Sequence, residues 1–311
     1  MAIRLTFWGV RGSIPTPGPK TVKYGGNTSC LELRFGADDR LVIVDAGSGI
    51  RELAGKLLAN DLKKGPIRTK IFLTHTHWDH IMGFPFFTPI FIPKTELEVF
   101  GPVSFEEDPL DKVVGDQLSY RYFPIRQAEL SATIGYFALK ESDQDLGGGV
   151  RLRTKYLNHP ILVLGYRFEF EGKVLCTAYD HEPYQNVFEM SPSDPRYNAE
   201  AAEAVKEGAV AAAAENEKVA KFFRGADLLV HDSQYKQEEW EAGKKGWGHS
   251  TFKWAIEQAY RAGVKHLVLF HHDPDRSDAE LEQIVNGYRA ALAGKSRMHI
   301  SIAQEGRTFE V

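Results

Sequence analysis

The sequence predicts a four-layer α/β fold, with two β-sheets packed between outer helices, in one domain over residues 1–311. Three observations lead there. Short runs rich in Val, Ile, Leu, Phe and Tyr recur toward both ends of the chain, closed by Gly, Pro or Asp-rich turns, as strands are. Each strand-rich block is followed by segments of helical periodicity, the order that a layered α/β architecture requires. The composition, 43% hydrophobic and 26% charged, supplies an ordinary globular core, and no repeat or low-complexity linker divides the chain.

In order, the strand-like runs begin with IRLTFWG (3–9), CLELRFG (30–36), RLVIVDAG (40–47), KIFLTH (70–75) and ELEVFGP (96–102). Five more follow: VRLRTKYLNH (150–159), LGYRFEFEG (164–172), KVLCTAYDH (173–181), DLLVHDS (227–233) and HLVLFHHD (266–273). Amphipathic helices are predicted over 49–61, with Ile50, Leu53, Leu57 and Leu58 on one side, and over 249–264. A third covers 277–294, capped by Ser277 or Asp278. The alanine-rich stretch 198–223 reads as one or two helices broken near Gly208, packed or serving as a lid or dimer contact. The loop 190–198 is the expected mobile segment.

Several classes are disfavoured. No apolar run approaches the roughly 20 residues that span a bilayer. The opening MAIRLTFWGVRGS has too short an apolar core for a signal peptide, so cytoplasm is the expected compartment. Cys30 and Cys176 fall in no CxxC pattern and are expected to be buried and unpaired. A formal net charge of −4 without a basic block argues against generic binding to nucleic acid.

The ionisable residues fall at telling positions. LVIV ends at Asp45, KIFLT at His75, KYLN at His159, VLCTAY at Asp180 and LVLF at His271. If those strand ends converge, their side chains line one edge of the sheets, a rigid platform for a site. The densest stretch, THTHWDH, adds His77, Asp79 and His80 directly after a strand. Five imidazoles with Asp79 and Asp180 suit two borderline divalent cations, with neutral nitrogen donors and a carboxylate able to bridge. His75 and His77 can face one cation from the turn, and Asp79 and His80 the other. Taken singly, any of these histidines would more often be a core or surface residue than a ligand.

These residues resemble the metallo-β-lactamase fold superfamily, whose hallmark is HxHxDH after a strand, and the resemblance spans most of the chain. It implies that Asp45 in VDAGSG orders the ligand loop from behind. It further implies that His75, His77 and His159 hold one cation, Asp79, His80 and His271 the other, and that Asp180 bridges. Two departures stand out. His181 follows Asp180 where the family more often has a small hydroxyl residue, and His272 adjoins His271 as a rival ligand. HDSQY (231–235) with GHST (248–251) resembles the phosphodiesterase branch that includes ribonuclease Z and the phosphoribosyl cyclic phosphodiesterases. There an acidic residue orients a histidine that protonates the leaving oxygen, and Asp232 and His249 match those positions. Asp79 counts as both ligand and catalytic residue.

The expected function is a dinuclear metal-dependent phosphodiesterase acting on a small diester, such as a cyclic nucleotide. Two cations about 3.5–4 Å apart supply a hydroxide nucleophile, and His249 acts as acid. Zinc is the favoured metal, with manganese or iron compatible. The alternatives are ribonuclease Z-like RNA processing, a thioester, lactone or lactam hydrolase, a one-iron sulfur oxidase, and an inactive scaffold. Only twenty residues separate His159 from Asp180, leaving no room there for a tRNA-gripping arm. A homodimer is a prior from enzymes generally. Arg11, Asn27 and Thr28 fit either substrate contact or turn structure, and Trp78 and Trp247 either base stacking or packing. His231, His266 and His299 are given no role.

Overall fold

The computed structural model describes residues 3–103 and 108–311. One sheet contains β1 (Ile3–Gly9), β2 (Cys30–Phe35), β3 (Arg40–Val44), β4 (Arg68–Phe72), β5 (Glu96–Pro102) and β6 (Thr133–Leu139). The other contains β7 (Asp143–Asp145), β8 (Arg151–Leu157), β9 (Val163–Phe170), β10 (Lys173–Ala178), β11 (Leu228–Asp232), β12 (His266–Phe270) and β13 (His299–Ile302). The last strand, β14 (Thr308–Glu310), returns to the first sheet beside β1. The strand orders are β14-β1-β2-β3-β4-β5-β6 and β13-β12-β11-β10-β9-β8-β7. The two sheets share one plan. Antiparallel pairing runs from β14 to β3 and from β7 to β10; parallel pairing then runs from β3 to β6 and from β10 to β13.

Side chains alternate across each strand, so each sheet has an inner and an outer face. Leu31, Leu33, Val42, Val44 and Phe72 meet Leu164, Phe168, Leu175, Val230, Val268 and Phe270 between the sheets. The alternate residues Ile43, Ile71 and Leu73 pack outward against α1 (Ile50–Lys56) and the segment around α3 (Leu110–Gly115). Leu229, Leu267 and Leu269 pack outward against α4 (Ala199–Phe223), α6 (Phe252–Arg261) and α7 (Asp278–Leu292). This double burial is why the parallel strands read as unbroken apolar runs. Short helices α2 (Trp78–Ile81) and α5 (Gln237–Glu239) sit in loops near the strand ends. Among the described residues, no helix is long and apolar enough to cross a membrane.

Four strands were not foreseen: β6, β7, β13 and β14. They are the four sheet edges. β6, β7 and β14 are largely exposed or half-buried and lack the hydrophobic pattern that marks central strands, while β13 is buried but only four residues long. Helix α4 differs in another way, running unbroken through Gly208. Asn198 caps it by accepting from Ala201 N at 2.8 Å. Gly208 serves packing instead, because a β-carbon there would collide with Asn186 and Phe188. Helix α7 takes Ser277 as its cap, in a reciprocal pair with Glu280. Cys30 and Cys176 are buried and free, as expected.

Candidate metal centre

Parallel pairing aims the ends of β3, β4, β10, β11 and β12 at the same edge of the two sheets, and β8 ends there too. Asp45, Asp180 and His271 each follow such a strand in left-handed backbone, with φ of 62°, 44° and 59°. Ser13, on a loop that reaches the same place, has φ 64°. Non-glycine residues adopt this region at a cost of order 1 kcal/mol or more, and the cost is tolerated chiefly where side chains are being aimed.

Asp45 is fully buried and organises the turn after β4. Its carboxylate accepts from Thr74 N at 2.7 Å, from Thr74 Oγ1, and from His80 Nδ1 at 2.8 Å. Thr74 Oγ1 lies 3.1 Å from His75 Nδ1. Gln234 Oε1 accepts from His271 Nδ1 at 2.8 Å, and Gly248 O accepts from His159 Nδ1 at 2.9 Å. Each bond fixes one ring nitrogen as N–H and leaves Nε2 with a free lone pair. Those lone pairs converge.

Asp180 sits between them. Its Oδ2 lies 3.5 Å from His75 Nε2 and 3.9 Å from His159 Nε2, and its Oδ1 lies 3.2 Å from both His80 Nε2 and His271 Nε2. His77 Nδ1 is 3.0 Å from His159 Nε2. Asp79 Oδ2 lies 3.1 Å from His271 Nε2 and accepts from Ser13 N at 2.7 Å. Two donor groups result: His75, His77, His159 and Asp180, and Asp79, His80, Asp180 and His271. Asp180 belongs to both.

The donor set fits divalent cations on its own chemistry. His75 Nε2, His80 Nε2 and Asp180 Oδ1 are buried and find no hydrogen-bond partner among the described residues. Such atoms are costly unless something binds them. Burial holds the His75 and His77 pKa values down and that of His159 at about 4, so these rings are neutral donors. His80 goes the other way. Burial opposes its charge, but Asp180, Asp79 and Asp45 together push its pKa well up. Three buried carboxylates thus call for positive charge at this spot, which a cation supplies.

A third group adjoins the second donor set. Asp232 Oδ2 lies 3.0 Å from His249 Nδ1, and His249 stacks on His271 with ring centroids 4.9 Å apart. Asp232 also accepts from the backbone of His181, Gln234 and Ser250, which locks its carboxylate. Burial lowers the His249 pKa, but Asp232, with Asp180 and Asp79 beyond, raises it overall to about 9.

Both departures noted in the sequence have a structural outcome. His271 faces the centre, while His272 turns away and donates to Ala303 O at 3.0 Å. His181 leaves Asp180 in place; its Nδ1 accepts from Asn158 N at 3.2 Å and ties the ends of β8 and β10 together. Arg11, Asn27 and Thr28 bond to the protein itself, to Gly25 O, Glu305 and Ser48 respectively. Trp78 and Trp247 are exposed, and Lys244 Nζ lies 3.8 Å from the Trp247 ring centre. Beside His159 and Gly248 opens a cleft of about 570 Å³, lined also by Tyr184, Asn186, Val187 and Lys245. Sequence reasoning missed Ser13, Gly12 and Gln234. Gly12 leaves room for His271, since a β-carbon there would strike the imidazole. The glycine-rich VRGS was a visible hint; nothing marked Gln234 as a partner of His271.

Comparisons with known proteins bear on the family and the fold. Residues 24–178 match the family model described as metallo-beta-lactamase superfamily. A ribonuclease Z of Lactococcus lactis is 30% identical over 273 residues, covering 79% of this chain and 83% of that protein. The structure of YhfI, a metallo-beta-lactamase fold protein of Bacillus subtilis, superposes with TM-score 0.65 at 18% identity, covering 99% of each chain. A diphosphatase of the PhnP family gives TM-score 0.59 at 17% identity, covering 99% of this chain and 98% of that one. With converging histidine and aspartate donors at the strand ends, the chain belongs to the metallo-beta-lactamase superfamily and is a metal-dependent hydrolase.

Proposed function

We propose that the protein is a phosphodiesterase that holds two divalent cations and cleaves a small phosphodiester, a cyclic nucleotide being one candidate. His75, His77 and His159 would hold one cation, Asp79, His80 and His271 the other, and Asp180 would be shared. The observation that carries the reading is the Asp232–His249 pair set against His271, at the border of the second donor group. Lactam, thioester and lactone hydrolysis has no evident need of such a pair; a phosphodiester with an alkoxide leaving group does.

When bound, the cations lower the pKa of a coordinated water and offset the charge of the phosphate. Zinc suits the His/Asp donor set best. The chain's own residues do the rest. Asp45, Gln234 and Gly248 O hold the His80, His271 and His159 rings so that Nε2 points inward. Asp232 holds the Nδ1–H of His249 and keeps the ring protonated, leaving Nε2–H for the substrate. As the bond from phosphorus to the leaving oxygen breaks, that proton passes to the oxygen, which becomes a hydroxyl: a separate alcohol from a linear diester, a group on the ring-opened product from a cyclic one.

RNA is the second reading, favoured by relatives whose printed name is ribonuclease Z. Against it, β9 and β10 follow one another as a hairpin between His159 and Asp180, and the net charge is −4. Parallel assays on cyclic nucleotides and on a 3′-extended precursor tRNA decide between the two. Turnover of the cyclic diesters without trimming of the tRNA supports the small-substrate reading; the reverse overturns it.

A further inference from the structure

Glu182 lies two residues beyond Asp180, is only 3% exposed, and has no part in the chemistry described so far. Its carboxylate is filled by N–H donors from one segment. Oε1 accepts from Trp240 Nε1 at 2.9 Å and Gly246 N at 2.8 Å. Oε2 accepts from Gly246 N at 3.0 Å and Gly248 N at 2.8 Å. The segment 240–248 leads directly into His249, and Gly248 also presents its carbonyl to His159. Gly246 and Gly248 both sit at φ +87°, a conformation that glycine takes freely and that local preference does not hold in one place. Something outside the segment must fix it.

Glu182 is placed to do that. Its backbone N donates to Asn158 O at 2.9 Å, and Asn158 Nδ2 donates back to Glu182 O at 3.0 Å, so it is clamped to the residue before His159. The Ser250 hydroxyl donates to the carbonyl of His181, closing the other side. One residue thereby joins three arms of the site: the Asp180 strand end, the His159 strand end and the His249 loop. Hydrogen bonds from N–H groups to a buried carboxylate are among the stronger ones a protein makes, and they are directional.

We infer that Glu182 is a positioning residue, the anchor that fixes segment 240–248 and so aims His249 at the leaving group. The His249 half of this inference rests on the phosphodiesterase reading; the anchoring half does not. The test compares Glu182→Ala, His249→Ala and the double variant, each checked for metal content. Diesters are graded from p-nitrophenyl to alkyl leaving groups. In Glu182→Ala, kcat for alkyl leaving groups falls at least about tenfold while p-nitrophenyl turnover and KM change much less, because an acid matters most for poor leaving groups. Adding Glu182→Ala to His249→Ala produces no further loss, as expected when one residue acts through another.

Amide hydrogen exchange supplies the second reading. Residues 240–248 exchange faster in Glu182→Ala while β10 and β12 keep their protection. Glu182→Gln preserves the volume but halves the acceptors, and is used in the same assays if the alanine variant does not fold. Losses that are equal across leaving groups, or that add fully to those of His249→Ala, overturn the link to His249. Unchanged exchange over 240–248 overturns the anchor. If His249→Ala itself shows no leaving-group dependence, the assignment of His249 as acid fails, and exchange still judges Glu182 separately.

Discussion

Oδ2 of Asp232 lies 3.0 Å from Nδ1 of His249, at the C-terminal end of β11, and the same oxygen accepts from the backbone N–H groups of His181 and Ser250. A carboxylate so constrained cannot follow the imidazole if it moves; the imidazole must follow it. On the proposed reading, the arrangement would separate two tasks, holding cations and delivering a proton, onto different residues.

That separation is testable by substitution. His249→Ala keeps the metal content of the wild type but lowers kcat for alkyl diesters by about 10²–10⁴, with a far smaller loss for p-nitrophenyl esters. Equal activity of the two proteins on an alkyl diester would remove His249 as the acid. His77→Ala, by contrast, loses metal and activity together.

Asp45 touches no proposed cation, yet it holds both Thr74 and His80. Asp45→Asn is expected to weaken metal affinity by about 10–100-fold, the usual effect of removing a partner that orients a ligand. Competition with a chromophoric chelator measures it directly. Unchanged affinity would mean that the turn after β4 holds its own shape.

Gly12 is the steric counterpart. A β-carbon there would meet the His271 ring, so Gly12→Ala should displace that ring and lower metal occupancy. Overpacking of this kind costs about 1–3 kcal/mol, readable as a drop in the thermal midpoint. An alanine variant with full occupancy and an unshifted midpoint would contradict the contact.

The pH dependence of stability has a contributor far from the centre. Burial, helped by His299 and Arg307, pushes the His266 pKa down from 6.5 to about 4. Below 6.5 the unfolded chain binds a proton that the folded chain refuses until about pH 4, so stability declines as pH falls through that window. Urea unfolding of the metal-free protein at about pH 7 and about pH 5 should show a smaller decline in His266→Gln than in wild type. An identical decline would assign the acid sensitivity elsewhere.

Much of the site was legible in the sequence because ligands at strand ends follow apolar runs, and such runs are visible when parallel strands are buried on both faces. Asp45, His75, Asp180 and His271 were found in that way. The rest was hidden for physical reasons. Ser13 acts through its backbone N–H and Gly248 through its carbonyl, groups every residue carries, so no letter marks them. Gln234 and Glu182 are ordinary polar residues until the fold brings His271 and the 240–248 segment against them. His271 was favoured over His272 because it directly follows the apolar run; the left-handed backbone at 271 is a feature that periodicity cannot reveal. β6, β7 and β14 escaped because half-exposed strands carry little hydrophobic pattern, and β13 because its buried run is only four residues long.

The most direct test of the central claim is metal content by mass spectrometry, coupled on one sample to bis(p-nitrophenyl) phosphate hydrolysis with and without chelator. The account predicts about two divalent ions per chain and turnover that the chelator abolishes. A single bound iron with no diesterase activity would contradict it.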